Sequence, residues 1–126
     1  MPKPDRLKVA VLTMVRDDAD FLKLWLAYYG GLFGLRALYV VNHGDGAMVR
    51  DLARDANVIA LPDEHHPKFD ARRWRLLNHL VQGLRIYHDV VIVGDVDELV
   101  VADPQLGTLP EVLARLPRVP VVTPFG

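Results

Sequence analysis

Short apolar runs alternate with helical patterns along the whole chain, and this alternation limits the fold more than any other feature. The runs are Lys8–Val15, Ala37–Val41, Asn57–Leu61, Val90–Val93 and Val119–Thr123. They are short, rich in β-branched residues, and continuous rather than alternating, as expected of strands buried on both faces. Between them lie stretches with helical spacing. Phe21, Leu22, Trp25, Leu26 and Tyr29 form one stripe, which Gly30-Gly31 and then Gly34 are expected to stop. Val49, Leu52, Ala53 and Ala56 form a shorter one. Trp74, Leu77, Val81 and Leu84 mark a long helix from about Asp70 to Tyr87, with Trp74 read as core. Thr108-Leu109-Pro110-Glu111 matches a capping box and opens a helix with Leu109, Val112, Leu113 and Leu116 inside. The order βαβαβαβαβ predicts an α/β fold, a mostly parallel sheet with helices on both faces.

Composition removes several classes of function. The 126 residues suit one domain, 1–126, with an apolar fraction of 51% that supports a core. Fifteen basic and sixteen acidic side chains leave a formal charge of −1, so no basic field favours nucleic acid. The absence of cysteine excludes disulfides and thiolate metal sites. The polar start, Met1 to Arg6, has no apolar signal core, and no stretch reads as an integral membrane segment. The cytoplasm is the expected compartment. The chain stops just after its fifth expected strand, as a fragment of a longer domain would.

The chemistry concentrates where Val90-Val91-Ile92-Val93 runs into Gly94-Asp95-Val96-Asp97-Glu98-Leu99. Open parallel sheets bind ligands beyond the carboxyl ends of their strands. In extended backbone, Asp95 and Asp97 would point to one side. Paired hard oxygens of this kind suit Mn²⁺ or Mg²⁺, which take phosphate oxygens as further ligands. The bland alternative is a surface turn with scattered acids. Arg16 follows the first strand and is placed to hold a phosphate or carboxylate. Asp17 or Asp18 is read as a helix cap. Asn42 and Asp45, beyond the second strand, are placed to read a base or ribose, or simply to shape a loop. His65 and His66 read more readily as exposed loop residues than as metal ligands. Arg72, Arg73 and Arg75 crowd the positive end of a helix dipole, which suggests an anion for one of them.

The run Val11 to Leu22, with Trp25-Leu26-Ala27-Tyr28-Tyr29 and the later Asp95-Val96-Asp97-Glu98-Leu99, resembles family 2-like glycosyltransferases, nearest to those related to the family 92 type. Trp74 on the preceding helix also fits. Asp17-Asp18 stands where that group has an Asn-Glu-like pair, and Leu99 replaces its usual aromatic residue. The resemblance implies a GT-A (Rossmann-like) three-layer sandwich, truncated here after the fifth strand. It implies a nucleotide-diphosphate sugar donor, an acceptor hydroxyl, an enzyme of the hexosyltransferase type and a divalent metal. By the same analogy Asp95 and Asp97 contact the metal, Asp95 also the donor, and Arg16, Asn42 and Asp45 lie near the nucleotide. The catalytic base is expected beyond Gly126, and Glu98 has no assigned role. Two alternatives stay open: a nucleotide-binding module without catalysis, and a phosphatase of the haloacid dehalogenase type with Asp95 as nucleophile.

Overall fold

A computed structural model describes residues 7–44, 46–62 and 67–115. Four strands form one sheet: β1 (Val9–Val15), β2 (Leu38–His43), β3 (Asn57–Leu61) and β4 (Val90–Val93). Their order is β3-β2-β1-β4 and every pair is parallel. All seven residues of β1 are buried, because it lies inside the sheet with helices over both faces. The helices are α1 (Ala19–Phe33), α2 (Ala47–Leu52), α3 (Phe69–Leu84) and α4 (Leu109–Arg115). The expected fifth strand, Val119–Thr123, lies outside the described residues, as does Leu116.

Alternation along β1 sorts the core into two halves. Val9, Val11 and Val15 join Leu22, Trp25, Leu26 and Tyr29 of α1, Val49 of α2, and Leu109 and Leu113 of α4. Ala10, Leu12 and Met14 join Leu77 and Val81 of α3. The sheet is therefore the middle of three layers, with α1, α2 and α4 on one face and α3 on the other.

Several expectations need correction. The first helix runs through Gly30 and Gly31 and stops at Gly34, whose φ of 88° is left-handed backbone that glycine tolerates best. Gly30 lies inside the helix, and a Cβ there would crowd only the movable end of the Leu35 side chain, Cδ2 at 2.9 Å, so it marks no helix end. Phe21 is 48% exposed: the buried line is Leu22, Trp25, Leu26 and Tyr29, and Phe21 lies one step round from it. Trp74 is 53% exposed, although it precedes Leu77 and Val81 at helical spacing. The reason is rotational. The sheet meets α3 on the side of Leu76, Leu80 and Leu84, so the edge carrying Trp74 turns away. There the Arg73 guanidinium lies 5.4 Å from the Trp74 ring centre. The third helix begins at Phe69 and ends at Leu84, short of Tyr87. Asp18 occupies the N-cap position of α1, but only its backbone carbonyl bonds, to Leu22 N–H at 2.9 Å. Its side chain makes no capping bond, and Asp17 sits at φ 60°.

The capping box is present. Glu111 N–H donates to Thr108 Oγ1 at 3.3 Å, and Thr108 N–H donates to Glu111 Oε1 at 3.0 Å. Reciprocal bonding of this kind satisfies two orphan donors at the start of α4. Thr108→Ala is expected to cost about 1 kcal/mol of unfolding free energy, measured by urea denaturation. A value near zero would mean that α4 does not depend on its cap.

Candidate functional site at the carboxyl edge of the sheet

The chain leaves β1 toward β2 and β3, then returns over the opposite face through α3 to place β4 on the other side of β1. Connections on either side of the β1–β4 pair thus depart in opposite directions. That is a topological switch point, where open parallel sheets leave a crevice. Gly94 is fastened to this edge: its N–H donates to the Leu12 carbonyl at 3.4 Å. The hydroxyl of the fully buried Thr13 donates to the Gly94 carbonyl at 2.8 Å.

Just beyond, the backbone turns. Glu98 N–H donates to the Asp95 carbonyl at 3.1 Å, and β4 has already ended at Val93. The carboxylates therefore do not converge by strand alternation, as the sequence suggested. The turn gathers them, and it brings in Glu98 as well. One oxygen from each of Asp95, Asp97 and Glu98 lies within 4.8 Å of the other two. Val96, between them, is buried against the α1 side of the core and pins the turn's apolar side. Three exposed carboxylates form a donor set of hard oxygens with room for water and phosphate, which fits Mg²⁺ or Mn²⁺.

The electrostatics divide the cluster. The Arg73 guanidinium bonds to Asp95 Oδ1 and holds that carboxyl below the usual carboxylate range. Glu98 shifts the other way, chiefly because it shares a hydrogen bond with the Asp95 carboxylate and lies beside its charge. A carboxylate pair this close holds its second proton more tightly.

Tyrosines of α1 anchor the chain after the turn. Tyr28 Oη donates to the Val100 carbonyl at 2.6 Å, and Val100 N–H donates to Tyr29 Oη at 2.9 Å. Burial pushes the Tyr29 hydroxyl up, so it stays neutral and suited to this contact. Tyr29→Phe would leave the Val100 N–H without its acceptor and is expected to cost about 1 kcal/mol. Amide hydrogen exchange should then quicken at Val100 before it quickens in β1. Unchanged exchange would dismiss the anchor.

A cleft of about 390 Å³ lies on the α3 face at the same edge. Met14, Leu61, Pro62 and Leu76 give it apolar lining, and Arg72, Arg73, Arg75 and His79 line it with charge or polarity. His43 and Phe69 complete it, their ring centres 5.2 Å apart. An apolar lining with a few convergent polar groups is the usual make-up of a small-molecule site. Sequence reading passed over His43, Phe69 and His79. The available signal was parity: His43 follows Tyr39 and Val41 on the face that packs against α3.

The remaining candidates are dispersed. Arg16 follows β1 directly, and its Nε lies 3.8 Å from Asp17 Oδ2. Asn42 is buried, and its amide donates to the Gly46 carbonyl at 3.1 Å, closing the loop between β2 and α2. It lies on the opposite face of β2 from His43. Asp45, His65 and His66 lie outside the described residues. Among the described residues no helix is long and apolar enough to cross a membrane. Compared with protein-family models, curated proteins and solved structures, the chain matches none of them.

Proposed function

We propose that this chain is the donor-binding part of a glycosyltransferase that uses a nucleotide-diphosphate sugar, with a GT-A-type arrangement around the β1–β4 crevice. One observation carries the reading: a turn of three carboxylates and a cationic, partly apolar cleft share the carboxyl edge of one parallel sheet. A nucleotide-diphosphate sugar asks for both. Its base and ribose need an apolar, ring-lined recess; its diphosphate needs cations.

On this reading Asp95, Asp97 and Glu98 hold Mn²⁺ or Mg²⁺, which supplies charge neutralisation at the departing diphosphate when bound. His43 and Phe69 present ring faces toward a base. Arg72 and Arg75 add positive potential along the phosphates. Arg16, at the end of β1, stands at the same edge. In transfer, the bond between the anomeric carbon and the diphosphate oxygen breaks, and a bond to the acceptor oxygen forms. The acceptor proton passes to a base that we do not assign among the described residues. The chain's contribution is positioning and electrostatic stabilisation.

Calorimetric titration of the chain with a nucleoside diphosphate, with and without Mn²⁺, tests the proposal. Binding that requires Mn²⁺ is expected. Binding indifferent to the ion, or none, would count against it, and metal-dependent binding without sugar transfer would favour a nucleotide-binding module.

A further inference from the structure

Arg73 belongs to two places at once. Its guanidinium bonds to Asp95 in the acidic turn, and the same side chain lines the cleft under α3. It stands four residues before Leu77, on the sheet-facing side of α3, where the strands have just ended. Only 18% of its side chain is exposed, against 49% for Asp95. The cation is therefore enclosed and the carboxylate is the open partner.

Asp95 also offers one of the hard donors a divalent cation would use, and Arg73 already holds one oxygen of that carboxylate. Two cations on one carboxylate repel each other at close range. A divalent ion at the turn and the Arg73 guanidinium therefore compete for Asp95. The loser on one side has somewhere to go, because the cleft that Arg73 already lines lies alongside.

We infer that Arg73 is a positioning residue that guards Asp95 until a divalent cation displaces it, and that the displaced guanidinium then faces the cleft, where it meets an anion. This rests on reading the acidic turn as a cation site. The exchange makes the two ligands cooperative: the ion frees Arg73 for the anion, and by reciprocity an anion that engages Arg73 eases binding of the ion. It also keeps the carboxylates partly neutralised in the ion-free chain, which lowers their mutual repulsion.

The test is Mn²⁺ affinity of the full 126-residue chain, read from the electron paramagnetic resonance of the free ion. Wild type is compared with Arg73→Gln, Arg75→Gln and Asp97→Ala. Arg75→Gln removes an equal charge from the same helix and cleft, and so controls for long-range electrostatics. Arg73→Gln is expected to tighten Mn²⁺ binding roughly fivefold, the size of a partly exposed ion pair. Arg75→Gln should change it by less than about twofold, since screening weakens the more distant charge. Arg73→Lys covers a failure of the Gln variant to fold; lysine cannot reproduce the planar fork, so it too should bind the ion more tightly than wild type. A second readout needs no variant of Arg73: saturating Mg²⁺ should move the Nε resonance of Arg73 in wild type and leave it in place in Asp97→Ala.

If Arg73→Gln binds no more tightly than Arg75→Gln, or Mg²⁺ leaves the Arg73 resonance unmoved, the guarding role is overturned. The cation site itself still stands in that event if Asp97→Ala abolishes Mn²⁺ binding. If neither wild type nor Arg73→Gln binds Mn²⁺, both readings fall.

Discussion

Asp97→Ala is expected to weaken metal-dependent binding of a nucleoside diphosphate roughly 100-fold or more, the upper end of what loss of supporting groups around a metal costs. Asp97 is exposed and its carboxylate faces the other two acids of the turn. Neither packing nor a capping bond depends on it, so the variant should unfold at the same urea concentration as wild type. That separation makes it the cleanest probe of the turn. Asp95 is less clean, because its removal also strands the Arg73 guanidinium. Calorimetry in Mn²⁺ reads the effect. Unchanged affinity in a folded Asp97→Ala chain would mean that the acidic turn is only a solvated surface feature.

Trp25→Ala is expected to cost about 3–5 kcal/mol of stability, the usual range for truncating a large buried aromatic. Trp25 is 1% exposed and meets Tyr29 edge to face, with ring centres 5.4 Å apart. Domains of this size are stable by only about 5–15 kcal/mol, so the loss is a large share of the whole. The effect should also reach the site. Tyr28 and Tyr29 hold Val100 on either side of its peptide, and both stand on the helix that Trp25 seats. Urea denaturation should show a lower midpoint with an unchanged slope. A loss below about 1 kcal/mol would contradict the burial of α1 described above.

The strands were legible as continuous apolar runs, which burial on both faces demands of β1 but not of β3, an edge strand with no fully buried residue. Asn57–Leu61 and Val90–Val93 match the sequence reading residue for residue. The parallel order followed from the intervening helices, and the capping box followed from residue spacing alone. What stayed hidden depended on rotation or on distance along the chain. Trp74 has the spacing of a core residue, but the spacing does not say on which side of Leu77 the sheet lies. The same rotation carries Arg73 inward to Asp95, while all three arginines border the cleft. The tyrosine hydroxyls bond across about seventy residues, and no local pattern announces that. The Asp95–Asp97 pair was found for an incomplete reason. Strand alternation places two acids together, whereas the turn places three.

The site therefore combines a legible part, acids at the end of a buried strand, with a part that only the fold assembles, the cleft beneath α3. Their adjacency is the centre of the proposed donor-binding role. Paramagnetic broadening of amide resonances by substoichiometric Mn²⁺ tests it most directly, because it locates the ion residue by residue. The account predicts that Gly94, Asp95, Asp97 and Glu98 broaden first, Arg73 and its cleft neighbours next, and the far end of α1 near Phe33 not at all. Broadening centred elsewhere on the surface, or no selective broadening at any residue, would contradict it.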